Sequence, residues 1–245
     1  TIAGYTADKS EIPAVSGVKA KDQDRVETVT YRKDAQKAVI RYVSTNGNRV
    51  LTTDEVTGKS GEAVAYSTTS QITEFKKQGY KLVSDEFTSG GAKVYDYDTA
   101  RDQVYTVTLS ERVEPVNPDN PTPQPNTPVT PGQPDSPRWP GTVENLDNKE
   151  SVSRTIHYVY EDGSKAKDDV VETLNFKRWS NVNLVTGHID FQDWTTNDDT
   201  FDKVVSPTIA GYTADKSEIP AVSGVQAKDQ DRVETVTYRK DAQKA

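Results

Sequence analysis

Apolar and polar positions alternate with a period of two in several separate stretches of this chain, and helical spacing is rare. Val26, Thr28 and Thr30 oppose Val29 and Tyr31, and the same alternation marks 38–44, 49–56, 80–87, 103–113, 154–160, 169–176 and 233–239. Runs of this kind are strands, because successive side chains of an extended backbone point to opposite faces. Asn46-Gly47 is a hairpin turn, since both central residues of that turn need positive φ, and Glu161-Asp162-Gly163 reads as a second turn. A helix is expected where Ile72 and Phe75 share a face, with Thr68, Thr69 or Ser70 as its cap and Gly79 as its left-handed stop. Between Trp179 and Trp194 lies a further alternating piece with Val182 and Leu184, and Thr196 is expected to cap a short helix running to Phe201, before Pro207.

Residues 39–113 therefore run strand, strand, helix, strand, strand. That is the order of a β-grasp fold, in which one helix crosses one face of a mixed sheet, and the fold class is α+β and β-rich. Residues 151–245 read as a second domain, with a hairpin, a short helix and a closing strand. Between them lies a linker, 114–150, with ten of the chain's thirteen prolines packed into 115–140. Prolines at that density forbid helix interiors and central strands, so the segment is expected to be polyproline II-like or irregular. As a semi-rigid spacer its 26 proline-dense residues reach on the order of 80 Å at ~3.1 Å per residue, which points to an elongated tandem arrangement.

The sequence also repeats. Thr1 to Ala38 returns as Thr208 to Ala245, 207 residues later, with Lys19 replaced by Gln226 as the one change. A period this long denotes whole domains copied in tandem. Residues 1–38 are accordingly the closing segment of a preceding repeat's second domain, too short and too poor in large apolar groups to fold alone.

Hydrophobic residues make up 33% of the chain and its mean hydropathy is −0.79, values suited to small β-rich domains with polar joints. A net charge of −8 and a pI near 4.9 argue against nucleic acid or an anionic membrane as partner, since both need clustered Lys and Arg. No stretch approaches the ~20 apolar residues of a membrane span. Cysteine is absent, which removes disulfides, zinc-thiolate sites and a Cys nucleophile. An acidic, cysteine-free, repeat-built chain fits an exported protein of a bacterium that does not rely on disulfides.

Three phrases then carry a resemblance: TIHYVYEDGS at 155–164, SPTIAGYTADKSEIPAV at 206–222 and DRVETVTYRK at 231–240. They resemble the mucus-binding repeats of Lactobacillus cell-surface adhesins, the Mub family with its MucBP-type domains. TGKSGEAVAYSTTSQITEFKKQGYKLVSDEF, at 57–87, is similar to the partner half of those repeats. The resemblance covers nearly the whole chain and implies two small, ubiquitin-like β-grasp domains. It also implies a non-catalytic, wall-anchored protein on the surface of a Gram-positive bacterium, monomeric within a tandem array. Its implied partners are mucin glycans, sialylated ones included, and immunoglobulins, bound through many weak copies. The competing reading is a structural stalk that only projects a distal adhesin.

No catalytic constellation accompanies these features. His157 and His188 are the only histidines, and neither has a nucleophile or second ligand near it in sequence. Two acidic loops have the close oxygen spacing that Ca²⁺ takes: Asp96, Asp98 and Asp102, and, as the better candidate, Asp193, Asn197, Asp198, Asp199 and Asp202. A pyranose presents an apolar face and a rim of hydroxyls, so the indoles Trp194, Trp179 and Trp139 are the candidate glycan platforms. Arg178 could pair with the carboxylate of a sialic acid. For an immunoglobulin, strand 49–56 is the candidate edge for main-chain pairing.

Overall fold

The strand β3 (Ala35–Ser44) is the spine of the first of two units in the computed structural model, which describes residues 1–242. Unit 1 comprises Thr1–Arg112, Pro128–Arg138 and Asn183–Thr186. Before β3 come two short strands, β1 (Tyr5–Ala7) and β2 (Tyr31–Lys33), paired antiparallel. After it come β4 (Arg49–Lys59), α1 (Thr69–Lys77), β5 (Tyr80–Asp85) and β6 (Gln103–Glu111). The main sheet has the order β4-β3-β6-β5. Its two central strands are parallel, with Ile40 opposite Tyr105 and Tyr42 opposite Val107, and each edge strand is antiparallel to its neighbour.

Ile40, Tyr42, Val107 and Leu109 face Ile72 and Phe75 of α1 to make the core of this unit. Phe75 sits between Tyr42 and Tyr80, with ring centres 5.6 and 5.7 Å away. Beside them runs a chain of polar atoms: Tyr42 Oη meets Tyr66 Oη at 2.8 Å, and Tyr66 donates to Asp54 at 2.5 Å. Burial, reinforced by the bond to Asp54, pushes the Tyr66 phenol well above its usual pKa, so it stays a donor.

The helix begins at Thr68, but not through a side-chain cap. The Thr68 hydroxyl instead donates to Asp85 at 2.6 Å, tying the helix start to the end of β5. Gly79 closes the helix with φ +94°, and a Cβ there would come within 2.9 Å of Leu184. Leu184, which the sequence placed in the second domain, thus packs in unit 1, and so does Val185 against the core. The proline-rich stretch is not one spacer either. Residues 128–138 form a loop of unit 1, closed by hydrogen bonds of Val129 N–H to Pro137 O (2.9 Å) and Thr130 N–H to Ser136 Oγ (2.8 Å).

Unit 2 comprises Val113–Thr127, Trp139–Val182 and Gly187–Ala245. Its strands are β7 (Val113–Val116), β8 (Lys149–Tyr160), β9 (Lys165–Lys177), β10 (Ser180–Asn183), β11 (Ile189–Phe191), β12 (Val204–Val205), β13 (Tyr212–Ala214), β14 (Glu218–Ile219) and β15 (Arg232–Lys240). A 3₁₀ turn at Gly141–Asn145 precedes β8. The main sheet is β13-β15-β8-β9, again with a parallel central pair, β8 and β15, and antiparallel outer pairs. Around it lie two apolar clusters, one of Val152, Leu174, Phe176, Phe201 and Val225, the other of Ile156, Tyr158, Ile219, Val236 and Tyr238.

The short helix expected from Thr196 to Phe201 does not form. Thr196 Oγ1 spans from Asn175 O to Asp198 O, and Thr200 N–H is taken by Asp198 Oδ1 at 2.9 Å. These side-chain bonds to local backbone compete with a helical ladder, and the segment is irregular after its single bridge to β9 at Thr195.

The two copies of the 38-residue segment make the same local bonds and different long-range ones. Asp8 and Asp215 each exchange hydrogen bonds with Thr30 and Thr237 at 2.8 to 2.9 Å, and Lys9–Glu27 matches Lys216–Glu234. In the second copy, β15 adds seven register pairs with β8, from Arg232–Arg154 to Tyr238–Tyr160. In the first copy the corresponding strand is only Tyr31–Lys33. Ile219, Val225 and Tyr238 are 1 to 2% exposed, whereas Ile12, Val18 and Tyr31 are 52, 67 and 41% exposed.

Candidate functional site

The outer edge of unit 2's sheet is β9, and its alternation decides what faces outward. Leu174 and Phe176 point into the core, so Thr173, Asn175 and Lys177 point out. Alongside lies the segment after Trp194, held by paired main-chain bonds between Lys177 and Thr195 at 2.8 and 2.9 Å and by Thr196 Oγ1 on Asn175 O at 2.8 Å. Between them opens a groove of about 390 Å³, lined by Lys149, Glu150, residues 173–177 and residues 195–198. Hydroxyls, amides and charges line it, while Leu174 and Phe176, 6 and 5% exposed, border it from the core side. Lys177 is already paired to both oxygens of Asp119, at 2.9 and 3.0 Å.

One end of the groove is braced by a cation–π stack. The Arg178 guanidinium lies 4.0 Å from the Phe191 ring centre and 4.2 Å from that of Trp194. Its Nε donates to Asp147 O at 2.8 Å, and a terminal nitrogen donates to Asp147 Oδ2 at 3.0 Å. Lys228 also lies over Trp194, 5.4 Å from the ring centre, and bonds Asp147 and Glu150 at 3.0 and 3.2 Å. The hydrogen bonds to Asp147 and then Glu150 hold the Lys228 ammonium above its usual pKa. Arg178 and Trp194, nominated separately from the sequence, are therefore one assembly in which each fixes the other. Trp194 leans against the apolar cluster under the groove, and Arg178 is engaged by Asp147 and two rings.

The other indoles lie elsewhere. Trp179 is 43% exposed, with its carbonyl accepting from Gln192 N–H. Trp139 is half-buried and exchanges main-chain bonds with Asn126 and Thr127. Residues of the expected Ca²⁺ loop turn inward on their own chain: Asp198 onto Thr200 N–H, Asp199 onto the Thr200 hydroxyl, and the Asp202 carbonyl onto Arg154. Among the described residues, no group of three or more His, Asp or Glu side chains is placed to hold a metal ion. His157 meets Asp169 across β8 and β9 at 2.9 Å, as a cross-strand pair. Asn175 and Thr173 escaped the sequence reading, although the outward parity of β9 was the signal that could have found them.

The chain is thus β-rich and built of two units, each with a parallel central strand pair in its main sheet. The family follows from comparison. A model described as a Muc B2-like domain matches residues 1–35 and 143–242, and one described as a mucin binding domain matches residues 36–111. The chain belongs to the Muc B2-like family, whose model covers more than half of it. It is 25% identical to the crystal structure of Mub-RV, over 84% of this chain and 100% of that one, with a TM-score of 0.66. It is 26% identical to a type 2 repeat of the mucus binding protein MUB from Lactobacillus reuteri, with the same coverages and a TM-score of 0.53. A MucBP domain of an adhesion protein from Pediococcus pentosaceus is 35% identical, over 38% of this chain and 99% of that one, with a TM-score of 0.34. No curated protein matches the chain significantly.

Proposed function

We propose that this chain is a non-catalytic adhesion repeat, displayed outside a bacterial cell, that binds mucin glycans in the groove between β9 and residues 195–198. Unit 1 is read as a β-grasp domain, and unit 2 shares its parallel central strand pair without a crossing α-helix among the described residues. The observation that carries the glycan assignment is the groove's lining, in which the hydroxyls and amides of Thr173, Asn175, Thr195, Thr196 and Asn197 stand beside apolar surface. A sugar ring offers the complement of that surface, an apolar C–H face edged by hydroxyls. For a sialylated glycan the cation within reach is Lys149, which lines the groove, and not Arg178, which does not line it and is held by Asp147 and two rings. An open groove binds weakly, and copies in series raise affinity through effective concentration, by roughly 10² or more where geometry permits.

Mucin binding by the full chain, measured by surface plasmon resonance, tests this. Replacing Thr173 and Asn175 together by Ala is expected to weaken binding about tenfold, the worth of one or two lost hydrogen bonds. Trp fluorescence should stay unchanged, because both side chains point to solvent. Lys149→Gln should weaken binding to untreated mucin and leave binding to sialidase-treated mucin alone. Full binding by the double variant would move the site off the groove, and no binding by the unaltered chain would favour a stalk.

An immunoglobulin adding its own strand would use β4, which ends the unit 1 sheet. Thr53→Lys with Glu55→Lys, a charged guard on that edge, should then abolish immunoglobulin binding in the same assay. Retention of binding would exclude β4.

A further inference from the structure

The hairpin that opens the chain is locked onto unit 1 by a glycine, and unit 2 carries the same hairpin with its glycine open. Gly4 is buried, with φ +74°, and its carbonyl accepts Asp34 N–H at 2.9 Å. Asp34 O in turn accepts Ser60 N–H at 3.0 Å, and Gln36 Nε2 donates to Ser60 Oγ at 3.1 Å. Tyr97 lies across this corner. A Cβ on Gly4 would come within 2.3 Å of Tyr97 Cδ1 and 2.9 Å of Ser60 Cβ, and one on Gly61 within 2.8 Å of the Tyr97 hydroxyl. Only a residue without a side chain fits beneath that ring.

The second copy repeats the hairpin half of this lock. Gly211 has φ +79°, Asp241 N–H bonds Gly211 O at 3.0 Å, and Thr213 Oγ1 donates to Asp241 at 2.6 Å, as Thr6 donates to Asp34 at 2.5 Å. Yet Gly211 is exposed, and a Cβ there would meet nothing within 4 Å. The one difference between the copies, Lys19 against Gln226, lies in the segment joining the two paired strands, away from the strands and the glycine.

We infer that the hairpin of β13 and β15 is a docking surface for a second copy of this chain's own module at residues 36–112. Tyr97 and Ser60 of that copy close over Gly211 as they close over Gly4. The occupant is named by the molecule itself, since the identical hairpin is already seated on that module in unit 1. Asp241 to Ala245 repeats Asp34 to Ala38, which in unit 1 enters β3, so an in-line copy arrives with its Ser60 corner in reach. Successive copies are then held in a fixed joint instead of swinging on a free link. This inference does not depend on what the groove binds.

The test is a two-copy chain in which 39–245 is repeated in frame after Ala245, with the appended copy segmentally labelled and its amide exchange followed by NMR. The Ser60 amide of the appended copy should exchange within about threefold of Ser60 in the one-copy chain, and Gly211→Asn should speed it at least about tenfold. Asn tolerates positive φ, so the effect isolates the added side chain. Tyr97→Ala in the appended copy should do the same, and Gly4→Asn should do so for Ser60 of the one-copy chain. Exchange of the appended Ser60 amide at the free-chain rate, or indifference to both Gly211→Asn and Tyr97→Ala, overturns the inference.

Discussion

Replacing Ile219 by Ala is expected to destabilise unit 2 by about 2–5 kcal/mol, whereas the same replacement at Ile12 should cost less than ~0.5 kcal/mol. The two residues occupy identical sequence, with the same ten neighbours on either side except Lys19 and Gln226. Ile219 is 2% exposed in a cluster with Ile156, Tyr158, Val236 and Tyr238, so truncation leaves a cavity that its neighbours cannot fill. Ile12 is 52% exposed and has no such cluster to vacate. Urea unfolding followed by Trp emission measures the first effect cleanly, since Trp139, Trp179 and Trp194 all belong to unit 2. The only α-helix among the described residues is in unit 1, so far-UV circular dichroism at 222 nm follows the second. Equal losses at the two positions would mean that residues 8–30 are packed as tightly as 215–237, contrary to their exposures.

This pair also marks the boundary of what a sequence can reveal. Features closed within a few residues were legible: the hairpin after β3 forms, though Gly47 and Asn48 take its positive φ (+70° and +52°) where Asn46 and Gly47 were expected to, Gly79 ends α1, and Gly163 takes φ +81° in the turn after β8. The Asp8–Thr30 and Asp215–Thr237 brackets recur in both copies because each segment carries both partners. Burial does not recur, because it depends on β8 lying alongside, and 38 residues contain no information about that. The failed helix at 196–201 has the same origin. Thr196 is a good cap in isolation, but β9 offers it the Asn175 carbonyl instead. In the site, the aromatic and cationic residues stood out by type and Arg178–Trp194 proved to be one stack. Thr173 and Asn175 did not stand out, since a polar strand face looks alike whether it meets water or a ligand.

Arg154→Met is expected to destabilise unit 2 by about 3–5 kcal/mol, more than any single groove substitution, because removing one partner strands the others in a buried site. Parity placed this residue inward: Val152, Arg154, Ile156 and Tyr158 share the core face of β8, and Arg154 is 1% exposed. A buried guanidinium persists only where its donors are met. Here Nε donates to Glu172 at 2.7 Å, one terminal nitrogen to Pro220 O at 3.0 Å, and the other to Asp202 O, while the group lies 5.1 Å from the Phe201 ring centre. Arg154 thus ties β8 to β9 and to the two segments flanking β12 and β14. Met restores apolar volume but leaves two carbonyls and one carboxylate without a donor, each lost bond to a buried group costing ~1–3 kcal/mol. Glu172→Gln should cost less, since that side chain is 25% exposed and the guanidinium keeps both carbonyls. Urea midpoints read by Trp emission give both values. If Arg154→Met cost no more than Glu172→Gln, the two carbonyl bonds would contribute nothing, and the tie would be a simple ion pair.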